Sequence, residues 1–287
     1  CSNAEIARQN IQRLNVTGKD DFSLASRITL LPLELHNLTT KSINFVSFTP
    51  GTSFDLKSGT GLAKERALLY WLLHKEWDFQ RKSSPLNIFQ CTAGVDSFRN
   101  LVNRFHDYYQ IDTTLAQVFI KKLRDKIQSE QNQEQPDLFI RFTELSEPFS
   151  RHTNNISWED NRKRNQLIGD LRLLLAKACV SALEPDLIIL DEFQRFKHLL
   201  EPENDFNEIA HELFNFSNTN SSTKVVLLSA TPYKMYTLAH EATEENHYED
   251  FLRTIQFLQS NQSQTDHLRN LLDQYRRELF RLGQNNY

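Results

Sequence analysis

Two apolar runs in this chain break off into polar residues that a protein core does not hold unpaired. Leu187-Ile188-Ile189-Leu190 ends in Asp191-Glu192-Phe193-Gln194, and Val225-Val226-Leu227-Leu228 ends in Ser229-Ala230-Thr231-Pro232. Short aliphatic runs rich in β-branched residues read as buried strands. The polar residues then sit at carboxyl ends of strands, where open α/β sheets bind their ligands. Adjacent carboxylates there suit a metal-bound nucleotide: one holds magnesium, usually through water, and the other orients or deprotonates an attacking water. Something must set the two strand ends side by side. Between them, residues 204–216 carry Phe206, Ile209, Leu213 and Phe216 at helical spacing, which predicts a strand-helix-strand crossover with parallel strands.

Four apolar residues followed by Asp-Glu is the Walker B pattern, and with the second run the chain resembles the first RecA-like lobe of superfamily-2 helicases and translocases. Asp191-Glu192-Phe193-Gln194 is similar to motif II, and Ser229-Ala230-Thr231 to motif III. Phe193 takes the third motif II position, so the signature is neither DEAD nor DEAH; with Arg195 and Phe196 it resembles bacterial helicase-like proteins of the Snf2-related and phage-defence kind. The segment from Cys1 to Asn10 resembles motif Ia, in which a helix amino terminus and the side chains of Ser2 and Asn3 face a nucleic-acid backbone. The competing reading of Ser2-Asn3-Ala4 is the remnant of a cloning linker, against which Cys1 argues. Residues 43–48 read as a further strand. Thr49-Pro50-Gly51 after it resembles motif Ib, a turn that offers amides and a hydroxyl to a phosphate; a turn with no ligand is the alternative.

The resemblance implies an α/β fold: a RecA-like parallel-sheet lobe of the P-loop NTPase type, incomplete here, with a large helical insertion. It implies an ATP hydrolase using ATP and Mg2+, with Asp191 binding the metal via nucleotide and water, Glu192 activating water and Gln194 sensing the nucleotide or a second lobe. Ser229, Ala230 and Thr231 would couple that site to nucleic acid, and Ser2, Asn3, Thr49, Pro50 and Gly51 would contact it. The implied partners are DNA, a second RecA-like lobe of the parent chain, and a defence-system or nuclease partner. The competing function is a catalytically inactive RecA-like binding or interaction module.

What discriminates the two is a missing sequence. A nucleotide-hydrolysing lobe needs Gly-x-x-x-x-Gly-Lys-[Ser/Thr], whose amides cradle the phosphates, and none occurs here. The segments 51–58 and 59–64 approach it in composition but never place the second Gly directly before Lys, and their glycine and serine content predicts a mobile loop. The expectation is therefore a fragment whose phosphate loop lies outside these residues.

Composition bounds the rest. The chain has 287 residues, 39% hydrophobic and 11% aromatic with 20 Phe, enough for a sizeable core. No apolar run approaches a membrane span. Cys1, Cys91 and Cys179 have neither metal-ligand nor disulfide spacing, which predicts a reducing cytoplasm. A formal charge of −4 tells against wholesale electrostatic wrapping in nucleic acid, though not against a local basic track.

The sequence divides into lobe residues 1–61 with motifs Ia and Ib, a helical insertion over 62–182, lobe residues 183–240 with motifs II and III, and C-terminal helices over 241–287. Within the insertion, helices are predicted over 62–75, over 112–127 capped by Asp112, and over 157–183 opened by Ser157. Residues 88–91 read as strand-like and 128–136 as a polar linker. Further helices are predicted over 248–258 and 265–282. Arg162, Lys163 and Arg164 form the densest basic cluster, either a phosphate contact or a solvated helix face. Phe98, Phe105, Tyr108 and Tyr109 are either core or a base-stacking platform. If the resemblance holds, the strands at 43–48, 187–190 and 225–228 share one sheet, with Asn3, Thr49, Asp191 and Ser229 at its carboxyl edge.

Overall fold

The longest helix shows how local sequence sets the frame. Leu167, Leu171, Leu174, Leu175 and Ala178 recur at helical spacing, and Ser157 supplies the missing acceptor at the helix start: its hydroxyl takes a hydrogen bond from the Asp160 amide at 3.0 Å. At the far end Glu184 adopts a left-handed conformation (φ 43°) and Pro185 follows, so the helix cannot continue.

The computed structural model describes residues 4–14, 22–38, 43–49, 53, 56, 59–80, 82–151, 156–193, 208–217, 222–229, 247–259 and 261–284. Its elements are α1 (Ala4–Leu14), β1 (Phe22–Ala25), a 3-10 helix (Ile28–Leu33), α2 (Leu35–Leu38), β2 (Asn44–Ser47), α3 (Ala63–Leu73), α4 (Ser84–Gln90), α5 (Val95–Asp107), α6 (Thr113–Asn132), α7 (Leu138–Ser146), α8 (Trp158–Leu183), β3 (Leu187–Asp191), α9 (Glu208–Phe214), β4 (Lys224–Leu228), α10 (His247–Gln259) and α11 (Gln262–Gln284). The chain has α/β character with helix predominant. It divides into two compact units, Cys1–Pro185 and Asp186–Tyr287.

In the first unit the core is built around α8, which packs on α6, α7 and the 3-10 helix, while α3 packs on α4 and α5. Leu167, Ile168, Leu171, Leu175, Ala178 and Cys179 of α8 are fully buried, as are Leu115, Phe119 and Leu123 of α6 and Leu68, Leu69 and Leu73 of α3. Each large aliphatic or aromatic side chain so removed from water contributes about 1.5–3 kcal/mol. An aromatic layer of Trp77, Phe79 and Phe142 extends it, with Phe79 and Phe142 stacked at 5.3 Å.

Several expectations change here. Residues 88–91 are not a strand: Pro85 stands in the first turn of α4, where its missing amide hydrogen costs nothing and its fixed φ favours a helix, so Ile88 and Phe89 are buried helix residues. The polar segment from 128 continues α6 to Asn132, because Gln, Ser and Glu sustain a helix already running. Residues 133–137 are non-helical, and a new helix, α7, begins at Leu138, Asp137 accepting from the Phe139 and Ile140 amides at 2.9 Å. On α10 Leu252 is buried, whereas Leu258 is exposed. The strand β1 has no forerunner in the sequence reading.

Ladders join β1 to β2 and β3 to β4, both parallel. The single sheet expected to hold 43–48 together with 187–190 and 225–228 is thus found as two two-stranded ladders among the described residues. In the second unit, α10 and α11 pack together through a bidentate pair between Arg269 and Glu249, at 2.6 and 3.0 Å, and Phe214 of α9 meets Phe257 of α10 edge to face.

Full burial of Cys179 pushes its thiol well above the ordinary range, so almost no thiolate exists at neutral pH. In the native protein Cys179 should stay unalkylated by iodoacetamide over hours and react on addition of denaturant. Site-resolved mass spectrometry checks this, and native-state labelling at Cys179 would contradict the packing of α8.

Candidate functional site

The parallel register of β3 and β4 pairs Leu187 with Lys224 and, four residues on, Asp191 with Leu228. Ser229 follows directly on the last residue of β4, so Asp191 and Ser229 stand together at one carboxyl edge. The apolar runs carry the strands to that edge, and α9, with Ile209, Ala210, Leu213 and Phe214 buried, lies in the connection between them.

Immediately past Asp191 the chain turns sharply. Glu192 has φ 53°, a left-handed conformation uncommon for a residue with a Cβ, and Phe193 is buried. The turn lifts Glu192 into solvent while the Phe193 ring anchors the backbone behind it. Asp191 is half-buried and Glu192 exposed, so the two carboxylates occupy different surroundings although they are adjacent. Among the described residues no group of three or more His, Cys, Asp or Glu side chains gathers as a metal site.

Thr49 lies in the first unit, two residues beyond β2, and its carbonyl accepts from the Ser53 amide at 3.0 Å. The expectation of one edge shared by Asn3, Thr49, Asp191 and Ser229 is met for Asp191 and Ser229, whereas the strand leading to Thr49 makes its ladder with β1. Ser2, Asn3, Pro50, Gly51, Gln194, Ala230 and Thr231 lie outside the described residues.

The basic cluster on α8 does not converge. Arg162 stacks over the Trp158 ring at 5.6 Å, Lys163 pairs with Glu159 at 3.0 Å, and Arg164 turns inward over Phe149 at 5.4 Å. Successive helix residues point about 100° apart, so three neighbours cannot share a face. Of the aromatic group, Phe98 and Phe105 are core, Tyr109 lies 4.6 Å from Phe105, and Tyr108 is 81% exposed.

Sequence reasoning missed a cluster of buried charge in the first unit. Glu65 of α3 is fully buried and accepts from Arg27 Nη1 at 3.1 Å, from Arg172 Nη2 at 3.2 Å, from the Thr29 hydroxyl and from the Leu62 amide. Arg172 of α8, 2% exposed, also donates to the Leu56 and Gly59 carbonyls at 2.8 and 2.7 Å. Arg66 donates to the carbonyls of Gly61, Phe89 and Gln90 at 2.6, 2.8 and 3.1 Å, and burial pulls its guanidinium below the ordinary value. The glycine-rich stretch expected to be mobile is thus tied down at Leu56 and from Gly59 to Leu62. Lys64, at the end of the second phosphate-loop-like segment, instead lies over the Tyr109 ring at 4.7 Å. The signal available in the sequence was charge on apolar helix faces: Arg172 follows Leu171 and precedes Leu174 and Leu175.

No family model, curated protein or solved structure matches the chain.

Proposed function

We propose that the chain is part of the first RecA-like lobe of a nucleic-acid-dependent ATPase, a helicase or translocase motor that uses Mg-ATP hydrolysis to move on or remodel DNA. The observation that carries this reading is the register of β3 with β4, which sets Asp191-Glu192 and Ser229 on one carboxyl edge in parallel strands. Asp191 offers a single half-buried carboxylate, a donor set that fits a magnesium ion completed by phosphate oxygens and water. Mg-ATP, when bound, supplies the phosphoryl group and neutralises its developing charge. Glu192, one residue on and exposed, orients the attacking water and takes its proton at a carboxylate oxygen. Ser229 at the neighbouring strand end links that edge to the rest of motif III, and Gln194 extends motif II. Thr49 contacts the nucleic-acid backbone. A second lobe, a reducing cytoplasm and a defence-system or nuclease partner complete the proposal. No helix among the described residues is long and apolar enough to cross a membrane.

One observation favours a second reading, a RecA-like binding module without catalysis: the phosphate-loop sequence does not occur in these 287 residues. Both readings give this chain negligible ATP turnover. Both also predict binding of a fluorescent single-stranded DNA, with affinity falling as salt rises by a slope of about 0.7 per neutralised phosphate. DNA-stimulated turnover of roughly 1 per second or more by this chain would contradict the expected inactivity of these residues on their own, and failure to bind DNA at low salt would contradict the nucleic-acid assignment. The readings part in a protein carrying the flanking sequence: DNA-stimulated hydrolysis supports the motor, and DNA binding without hydrolysis supports the module.

A further inference from the structure

We propose that the side chains gathered around Cys91, just past the end of α4, form a binding site for a phosphate-type oxyanion. Arg164 of α8 and Arg66 of α3 supply the charge and the Thr60 hydroxyl a further donor. The site lies wholly within the first unit and does not depend on the motor reading.

The observation that carries it is a surplus of buried positive charge. Arg66, Arg164 and Arg172 are 3%, 8% and 2% exposed, and Arg27 joins the same interior through Glu65. Among the described residues Glu65 is the one carboxylate that pairs with any of the four, and it is shared between Arg27 and Arg172. Four guanidiniums against one carboxylate leave three positive charges, and charge withdrawn from water is costly unless an opposite charge or a full set of acceptors meets it. Arg172 and Arg66 have acceptors: the Leu56 and Gly59 carbonyls for the first, the Gly61, Phe89 and Gln90 carbonyls for the second. Arg164 does not. Its Nε and Nη2 share one neutral acceptor, Asn165 Oδ1, at 3.1 and 2.9 Å, and its Nη1 has no hydrogen-bond partner among the described residues. The Phe149 ring at 5.4 Å is a weak substitute for an anion.

The surplus converges on one place. Arg66 holds the two carbonyls immediately before Cys91, and its Nη1 reaches the Thr60 carbonyl and hydroxyl at 3.4 and 3.5 Å. Asn87 of α4 donates to the Phe149 carbonyl at 2.9 Å, which ties the residue beneath Arg164 to the same helix. Burial pushes the Cys91 thiol up, against the pull of Arg164, Arg66 and a hydrogen bond with Thr60, so the group these cations meet is an uncharged thiol. Burial foremost, and in smaller part the like charges of Arg164 and Arg172, pull the Arg66 guanidinium below its ordinary value. An anion seated beside Cys91 relieves that repulsion. Guanidinium edges match phosphate oxygens in geometry, and a dianion offsets a surplus of this size better than chloride does. Thr60 and Cys91 are only partly buried, which leaves a small anion a way in from solvent.

The test is the unfolding midpoint of the full chain in inorganic phosphate against chloride of equal ionic strength, for wild type, Arg164→Met and Lys163→Met. Methionine keeps an unbranched stem over Phe149 and deletes the charge. Lys163, exposed and already paired with Glu159, controls for an equal change of net charge and for the general stabilisation that phosphate gives any fold. For a dissociation constant of about 0.2 mM, about 20 mM phosphate should raise the wild-type midpoint by roughly 5 °C or more. Lys163→Met keeps that shift and Arg164→Met loses most of it. Phosphate should also slow iodoacetamide labelling of Cys91 by about tenfold or more, as expected when the site is nearly full. ATP without Mg2+ at the same concentration separates the sources: a larger shift than phosphate supports a nucleotide phosphate at the site, and an equal or smaller one supports free phosphate. If Arg164→Met does not fold, labelling decides, with protection of Cys91 in wild type that weakens in Thr60→Val as the supporting result. A phosphate shift in Arg164→Met equal to that of wild type, or Cys91 labelling as fast in phosphate as in chloride, overturns the site.

Discussion

Glu65→Ala is expected to destabilise the first unit by about 3–5 kcal/mol, the range found when one partner of a buried ion pair is removed and the other is left behind. The carboxylate is fully buried and accepts from Arg27, Arg172, Thr29 and the Leu62 amide. Truncation strands the Arg172 guanidinium, 2% exposed, with one fewer acceptor, and leaves the Leu62 amide at the start of α3 without the carboxylate that accepts from it. Against a total stability of about 5–15 kcal/mol, a loss of this size lowers the unfolding midpoint by roughly 10 °C or more. Circular dichroism during heating, or urea denaturation, reads it. The companion variant Glu65→Leu with Arg172→Met tests the cause: deleting both charges into matched apolar volume should destabilise less than Glu65→Ala alone. A midpoint shift below about 2 °C for Glu65→Ala, where a loss of this kind predicts several times that, would show that the cluster does not hold the unit together.

This cluster also marks the boundary of what the sequence discloses. Where a structural decision is local, the residues state it. Asp112 accepts from the Leu115 amide at 2.7 Å and Ser157 from the Asp160 amide at 3.0 Å, each at the helix start its side chain predicts. The runs at 187–190 and 225–228 lie within strands that pair in parallel, because short aliphatic β-branched segments followed by polar residues have few other solutions. Local signals mislead when they compete: Ile88-Phe89-Gln90-Cys91 has strand-like side chains, but the start at Ser84-Pro85 settles it as helix. At Gln128 to Asn132 low hydrophobicity suggests a linker although every residue tolerates a helix. The charge cluster is illegible for a different reason. Glu65 and Arg172 are 107 residues apart, and only tertiary packing reveals that two polar positions on different helices face one another. The candidate site divides the same way: Asp191, Glu192 and Ser229 are found by pattern, whereas the left-handed turn at Glu192 follows no local rule, since nothing in Asp-Glu-Phe demands it.

In a protein that includes the phosphate-binding segment, Glu192→Gln is expected to reduce DNA-stimulated ATP hydrolysis by about 10²–10⁴-fold, the usual contribution of a positioned general base, while leaving ATP affinity within a few-fold. Glu192 stands one residue past the β3 edge in a left-handed turn, with buried Phe193 fixing the backbone behind it. Glutamine keeps the length and hydrogen-bonding reach of the side chain, so the turn and any contact with bound nucleotide survive; it has no basic oxygen to accept the proton of an attacking water. Asp191→Asn separates the two roles. Asp191 is a ladder residue, paired in register with Leu228 and half-buried, and losing its charge should weaken the magnesium-dependent part of ATP binding, measured as the ratio of ATP affinities with and without Mg2+. Single-turnover hydrolysis and equilibrium binding of a fluorescent ATP analogue, run on both variants, read the two effects independently. If Glu192→Gln hydrolyses ATP within a few-fold of wild type, the Asp-Glu pair is not motif II, and the parallel edge it shares with Ser229 serves something other than hydrolysis.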